Sequence, residues 1–475
     1  MFDCLARCIS AYLIAVSAVA VANAQFANDD SASPIHSCDD YQGLCDEGCD
    51  AIGVCRHKGI CSRQTLTGDW GGLRTCLQEQ GVTFAGRVTQ FGFGVDGGIN
   101  TAAAPAPLSP GDTFKYTGRG EYDFLFDLEK FGGLPMGRLL MRWEHWYGEF
   151  ANVSTSTGAF APAVFPAALP PRPNDPGALY MTNFLFTQPL SENFVVFAGK
   201  KDVLGAADQT IFAGGDGTKQ FVNQALIANP AFLLALPYTG FTVGFVSPQE
   251  WGAFSAFVYD PKDRTANFFN LDDLFAAGVI VGGEVKLNTD FFDLPGEQHV
   301  GAIWKHVDLP DLEFSVNPPG EYPYDDDPTL VTKRDSYTIY YGFDQYIKQY
   351  NGARPSALPN KNPRGWGIFG RASISDANPT PIQYFLSLGV GGNSPMNNHN
   401  DNWGVGWYYV GVSNEFGPAP EALIGPRDGT GVEVFYNRQI TPWLNLTPDV
   451  QYVRPGGGAI ADDSFIYGIR LGATL

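Results

Sequence analysis

Polar and apolar residues alternate most clearly between 115 and 127. The polar members fall on one parity and the aromatic members on the other: Lys115, Thr117, Arg119, Glu121 and Asp123 against Tyr116, Tyr122, Phe124 and Phe126. A period of two residues is typical of a β-strand whose two faces meet different surroundings. The alternation recurs along most of the chain, which is the signature of a transmembrane β-barrel. The pattern therefore predicts an aromatic face toward lipid and a charged face toward a water-filled lumen.

Strand candidates with this alternation number sixteen, an even count of the kind found in single-chain outer-membrane barrels. They lie near 82–96, 114–128, 137–149, 178–188, 193–201, 238–247, 251–260, 277–288, 297–307, 335–350, 364–376, 381–391, 403–413, 429–440, 443–453 and 464–475. A short helix is predicted within 66–81, opened by Asp69 and ended by Gly81. The predicted fold is all-β, an antiparallel transmembrane β-barrel of about sixteen strands over 82–475.

The links between these candidates alternate in length. The long links are 100–112, 152–177, 202–237, 261–276 and 308–334, and the short ones lie around 132–133, 189–190, 248–249 and 441–442. Outer-membrane barrels have short periplasmic turns and longer external loops, so the asymmetry supports the barrel. The link 202–237 either folds inward and narrows the pore or forms an exposed cap, and its apolar residues favour packing against the wall.

A soluble pair of β-sandwiches is the alternative fold, since it also has short strands and Gly/Pro turns. Its strands would need an apolar inner face. Arg138, Arg142, Glu144 and Trp146 instead share one face of their strand, opposite Leu139, Met141, Trp143 and Tyr147. The pattern therefore favours the barrel.

Composition agrees with a barrel and narrows the partners. Aromatic residues make up 14% of the chain and the formal net charge is −20. Nucleic acid binding depends on clustered Lys and Arg, and no such cluster occurs, so we predict no nucleic-acid partner. The acidity indicates either soluble loops or a lumen that tolerates cations.

The N-terminal region has the layout of an exported protein. Residues 1–24 contain Arg7, an apolar run and Ala22-Asn23-Ala24, and they predict a cleaved signal peptide, with an uncleaved helix as the alternative. Residues 25–65 form a Cys-rich lead that is predicted to lie in the periplasm. The cysteines outside the signal are predicted to form disulfides of unknown connectivity: Cys38, Cys45, Cys49, Cys55, Cys61 and Cys76.

Catalytic and cofactor motifs are missing from the sequence. The chain has six histidines but no Gly-x-Ser-x-Gly or His-Glu-x-x-His pattern. Gly214–Gly217 is not followed by the Gly-Lys-Ser/Thr of a phosphate-binding loop. We therefore predict no enzyme, no cofactor and no metal site.

The charged faces of the strands carry the candidate binding site. Polar groups of both signs along a lumen suit the hydroxyl groups of sugars better than a single-sign ion filter does. Simple electrostatic pairing that stiffens the wall is the alternative role. The residues predicted to line the pore are Lys115, Arg119, Glu121, Asp123, Arg138, Arg142, Glu144, Trp146, Lys200 and Asp202.

Three stretches of sequence are recognisable. The first reads LTGDWGGLR from Leu66 to Arg74 and continues with GVTF from Gly81 to Phe84; the last reads TPWLNLTPDVQYVRPGG from Thr441 to Gly457, followed by GIRL from Gly468 to Leu471. Between them, FAGK ending at Lys200 precedes Asp202, Phe221 and Asn223. Together these motifs resemble the carbohydrate-selective porin family, often called OprB. The Cys-rich lead with Cys76 and the terminal Leu475, where barrels usually end on an aromatic residue, depart from its pattern.

The resemblance covers roughly 66–475. It implies a sixteen-stranded outer-membrane porin through which sugars diffuse passively, with carbohydrates and outer-membrane lipid as partners. Two alternatives to this function stay open. The first is a general or ion-selective porin, and the second is a structural outer-membrane protein whose lead contacts the cell wall.

Overall fold

A computed structural model of the chain describes residues 60–101, 108–149, 153–169, 178–205, 207–234, 236–266, 271–314, 331–350, 363–395 and 400–475. Sixteen strands form a closed barrel within these ranges. In chain order they are β1 Val82–Ile99, β2 Thr113–Asp127, β3 Arg138–Gly148, β4 Tyr180–Ser191, β5 Phe194–Asp202, β6 Thr239–Gln249, β7 Gly252–Tyr259, β8 Gly278–Phe291, β9 Leu294–Val307, β10 Ser336–Gln349, β11 Gly365–Ser375, β12 Ile382–Asn393, β13 Asn402–Val412, β14 Gly429–Thr441, β15 Leu444–Arg454 and β16 Ala461–Thr474.

Each strand pairs antiparallel with the next one in sequence, and β1 pairs with β16 to close the barrel. Every strand predicted from the alternation is present, including those after residue 350, where the pattern is weakest. The boundaries agree to within three residues, as for the start of β16 at 461 against a predicted 464. The predicted all-β antiparallel barrel is therefore confirmed.

The two faces of the barrel wall differ in exposure, as the alternation predicts. Outward-facing side chains are exposed, for example Phe114 at 61% and Tyr467 at 53%. Inward-facing ones on neighbouring strands are buried, for example Phe91 and Ile466. An apolar exterior is what a bilayer requires of a barrel wall.

The two rims of the barrel differ. At the turn rim, which holds the short links, Phe292 and Asp293 alone join β8 to β9, and both have positive φ, as a tight hairpin turn needs. The loop rim holds the long links, including a small ribbon in which Leu309–Pro310 pairs with Thr332–Lys333. The short and long links predicted from the sequence lie on these two rims as expected, but the lengths do not separate everywhere. Residues 350–364 join β10 to β11 at the turn rim, whereas only 376–381 join β11 to β12 at the loop rim.

The link between β5 and β6, residues 203–238 and called the inserted segment here, lies inside the barrel. It contains two one-turn helices, Gln224–Ile227 and Pro230–Leu233. Most of its described apolar residues are buried against inward-facing side chains, with Phe221 on Phe369 and Phe435 and with Phe232 on Tyr340. Of the two expectations for this link, folding inward is the one the structure bears out.

Glycines on the inward face make room for this segment. A Cβ added at Gly404 would lie 2.6 Å from the Phe221 ring, and one at Gly406 would lie 2.7 Å from Leu226. Distances below 3.0 Å are too short for carbon contacts, so a larger residue at either position would displace Phe221 or Leu226. The wall of β13 is thus shaped to hold the inserted segment.

A second link also enters the lumen. Residues 153–169 of the link between β3 and β4 include Val153–Ser156 and the short helix Phe165–Ala168. The main chain of Phe165 donates a 2.9 Å hydrogen bond to the carbonyl of Val222 in the inserted segment. The remaining helix, Pro418–Ile424, lies between β13 and β14. No helix in the described part of the chain is long and apolar enough to span a membrane.

The N-terminal segment fastens the seam between β1 and β16 at the turn rim. It comprises the turns Ile60–Ser62 and Trp70–Gly72 and the predicted short helix, observed at Leu73–Glu79. Arg74 donates 2.9 Å hydrogen bonds to the carbonyls of Leu475 and Phe84 and lies 5.6 Å from the Trp70 ring centre. The segment 60–79 and the C-terminal strand therefore hold each other.

The cysteines are only partly described. Cys76 is disulfide-bonded, whereas Cys61 has a free, exposed thiol, so the disulfide predicted for Cys61 is wrong in this structure. The thiol of Cys61 lies exposed in the turn Ile60–Ser62. The signal peptide at 1–24, most of the lead at 25–65 and the remaining four candidates, Cys38, Cys45, Cys49 and Cys55, lie outside the described residues.

Candidate functional site

Charged side chains from β2 and β3 meet on the inner wall of the barrel. The register sets Glu121 opposite Glu144 and Asp123 opposite Arg142, with Arg119 opposite Trp146. Residues opposite each other in an antiparallel pair share a face, so these charges are neighbours. We call Arg119, Glu121, Asp123, Arg142, Glu144 and Asp202 the wall cluster.

Arg142 connects three strands. Its guanidinium donates two hydrogen bonds to the carboxylate of Asp123, at 2.7 and 3.0 Å, and one of 3.1 Å to Asp202 at the end of β5. The amide of Asn183 on β4 also donates to Asp202, at 2.7 Å. A bidentate pair of this kind fixes the direction of both side chains. Neighbouring strands are thereby held together from the inside.

Arg119 is the second arginine of the wall cluster. Its guanidinium is paired with Glu144 and lies 3.2 Å from a carboxylate oxygen of Glu121. The hydroxyl of Tyr238, at the end of the inserted segment, donates to Glu144 at 2.7 Å. The guanidinium also lies 5.4 Å from the ring centre of Trp146, within range of a cation–π contact.

The wall cluster is covered from the lumen. Arg119 and Glu144 are 0% exposed, and Glu121 and Asp123 are 2% exposed. A solute would reach these groups only if the covering side chains moved. Removing one partner from a buried ion pair costs about 3–5 kcal/mol, because the other charge stays buried without compensation. The geometry therefore fits the alternative role for these residues, which is to stiffen the wall.

Arg87 on β1 is a partly exposed charged residue next to the wall cluster. Its guanidinium donates to Glu121 at 2.9 Å and is paired with Asp216 of the inserted segment. The side chains of Arg87 and Asp216 are 11% and 14% exposed, and Gly215 and Lys219 beside them are exposed. Arg87 thus links the covered cluster to the tip of the inserted segment, which we define as residues 215–220.

Hydrogen bonds fix this tip to the wall on its other side. Arg470 on β16 donates to the carbonyls of Gly217 and Gln220, the latter at 2.6 Å. Amides from β13 and β14, those of Asn402 and Asn437, donate to the carbonyl of Lys219 at 3.2 and 3.0 Å. The tip is therefore a rigid element rather than a freely moving loop.

The earlier part of the inserted segment is anchored by buried ion pairs. The carboxylate of Asp208 lies 3.0 Å from His299 on β9 and 3.1 Å from Arg371 on β11. Further along, Glu433 on β14 accepts hydrogen bonds from the main-chain N–H groups of Val222 and Asn223, at 2.7 and 2.9 Å. Anchors on β9, β11 and β14 spread the segment over much of the inner wall.

Three of the predicted pore residues lie away from the wall cluster. Lys115 pairs with Glu149 at 3.2 Å close to the loop rim. Arg138 is half-buried at the start of β3, by the turn rim. Lys200 lies opposite Phe184 in register and its side chain is completely buried, so it is no more open to solutes than the wall cluster. The neighbour Lys201 has the opposite parity, and its main chain pairs with Gly240.

Several residues of the site were not found from the sequence. Arg87 has the inward parity of β1, so alternation alone would have found it, but the glycines of that strand weaken the pattern. Asp216 and Tyr238 carry no periodic signal because they lie in a link. Asp208, His299 and Arg371 are separated widely along the chain and become neighbours only through the closed barrel.

A family comparison decides the identity. The model of the carbohydrate-selective porin family, OprB, matches residues 112–475. The chain belongs to the carbohydrate-selective porin family. It is an outer-membrane porin for the passive diffusion of sugars, as the sequence motifs implied. The match begins after the motif at 66–84, so the resemblance there still depends on the motif alone.

A solved structure supports the fold. The high-pH structure of OprB from Pseudomonas putida is 17% identical, with a TM-score of 0.70 over 88% of this chain and 100% of that one. The low-pH structure of the same protein is 14% identical, with a TM-score of 0.49 over 87% of this chain and 99% of that one. No curated protein sequence matches this OprB-family chain at a significant level.

Proposed function

We propose that sugars cross this porin past the tip of the inserted segment, where Arg87, Asp216 and Lys219 are the groups they contact. The accessibility of these three side chains carries the proposal, because the wall cluster behind them is closed to solutes. A guanidinium, a carboxylate and an ammonium together offer donors and acceptors to sugar hydroxyls. Because these three side chains carry charges of both signs, we expect the pore to have only a weak preference between cations and anions.

The wall cluster supports this path indirectly. Glu121 accepts from Arg87 and lies beside Arg119, so it orients the guanidinium that solutes meet. A group held by a buried partner keeps its position as solutes pass, and preorganised contacts of this kind need little rearrangement. The buried members are therefore positioning residues, and Arg87 is the contact.

Liposome swelling tests the proposal. Proteoliposomes of the mature chain should swell in isotonic glucose, and Arg87→Gln should change that rate more than Arg138→Gln at the turn rim does. Planar-bilayer current should fall when sugar is added. A current that is insensitive to sugar and strongly selective for one sign of ion would replace the sugar path by an ion-channel function.

A further inference from the structure

Lys219 combines a fixed main chain with a free side chain. Two amides on the wall, those of Asn402 and Asn437, hold its carbonyl, and Arg470 holds the carbonyl of Gln220 next to it. The residue itself is exposed, although it lies inside the barrel. Its ammonium therefore extends into the lumen from a base that does not move.

The charges around Lys219 are already paired with each other. The nearest ones acting on it are Arg87, Asp216 and Glu121. Both carboxylates bind Arg87, and no ion pair to Lys219 occurs in the part of the chain that the structure describes. The ammonium is thus a positive charge that none of the described carboxylates contacts.

The rest of the molecule is strongly acidic. A net charge of −20 repels anions over distances of about a Debye length, roughly 10 Å at 0.1 M salt. Low-dielectric walls concentrate the field of a charge within a lumen. A single exposed ammonium at the tip is therefore well placed to offset the acidic field for a solute that carries a carboxylate.

We propose that Lys219 is the specificity-determining residue that admits acidic monosaccharides, binding the carboxylate while Arg87 and Asp216 contact the hydroxyls. The proposal rests on the sugar path proposed above and names the charge class of its solutes. An ammonium that forms one exposed contact changes an equilibrium by about twofold to fivefold. The expected effect on permeation has the same size.

The test compares glucose and glucuronate, which are similar in size and differ in charge. Swelling rates are measured at low ionic strength for the wild type and for Lys219→Gln, Lys219→Glu and Lys219→Arg. Lys348→Gln is the matched control, because it removes the same charge from an exposed position on β10. The reversal potential in a KCl gradient is measured on the same proteins.

The ratio of the swelling rate in glucuronate to that in glucose should fall about threefold in Lys219→Gln and further in Lys219→Glu. The same ratio should stay near the wild-type value in Lys219→Arg and Lys348→Gln. The reversal potential of Lys219→Gln should shift toward cation selectivity. A ratio unchanged in Lys219→Glu, or lowered equally by Lys348→Gln, would overturn the proposal. If glucose itself did not enter wild-type vesicles, the sugar path would fail, and that result is separate from any effect of Lys219.

Discussion

The carboxylate of Asp208 lies 3.1 Å from the guanidinium Nε of Arg371, and both side chains are completely buried. One residue belongs to the inserted segment and the other to the wall of β11. The pair therefore fixes the segment that narrows the lumen to the barrel itself. His299, 3.0 Å from the same carboxylate, adds a second wall contact.

Arg371→Met should release this part of the segment. The substitution leaves Asp208 buried without its cation, which costs about 3–5 kcal/mol. We expect a lower thermal midpoint in heat-modifiable gel mobility and noisier, larger single-channel currents. The double variant Asp208→Asn with Arg371→Met removes both charges and should recover part of the stability; if it is less stable than the single variant, the pair is not the anchor.

Glu144→Ala tests the role assigned to the wall cluster. Since Glu144 is the buried partner of Arg119, its loss should lower the free energy of unfolding by about 3–5 kcal/mol. The control is Glu149→Ala, an exposed partner of Lys115, which should cost about 1 kcal/mol or less. Urea unfolding in detergent measures both. A Glu144→Ala barrel of wild-type stability with altered sugar block would restore Glu144 as a solute contact.

Gly404→Ala should displace the inserted segment. The new Cβ would lie 2.6 Å from the rings of Phe221 and Phe435, and overpacking of this kind costs about 1–3 kcal/mol. Gly472→Ala on β16 is the control, because its Cβ meets nothing within 4 Å. Thermal midpoints and conductance should change for the first variant only. Adding Phe221→Leu to Gly404→Ala should reverse part of the loss, and no recovery would argue against the steric explanation.

The thiols can be distinguished by labelling. Cys61 is free and exposed, so iodoacetamide should modify it in the folded, unreduced protein. Cys76 should react only after reduction, because it is disulfide-bonded. Peptide mass spectrometry reads both sites and also identifies the partner of Cys76. Protection of Cys61 before reduction would show that it belongs to the disulfide framework after all.

Adjacent lysines show where local pattern stops being informative. Lys200 and Lys201 have opposite parity, so alternation predicts that one of them meets lipid and the other the lumen. In the structure both side chains are buried, and Asp202, which shares the parity of Lys200, pairs with the inward-facing Arg142. At this end of β5 the surrounding structure, and not parity, therefore sets which side chains are covered.

The sequence by itself determined the strands, their order around the barrel and the side of each that meets lipid. They follow from the two-residue period of the strands and from the lengths of the links, which are local properties of the sequence. Because one face of each strand must be apolar to meet the bilayer, the period also shows which face that is. Only the tertiary structure decided which inward-facing charges solutes can reach. That depends on the inserted segment, whose contacts join residues far apart in sequence, such as Arg87 with Asp216 and Asp208 with Arg371. The inserted segment covers Arg119 and Glu144 and leaves Lys219 exposed. The burial of a side chain, and not its place in the alternation, therefore separates the groups that hold the wall from those proposed to meet the sugar.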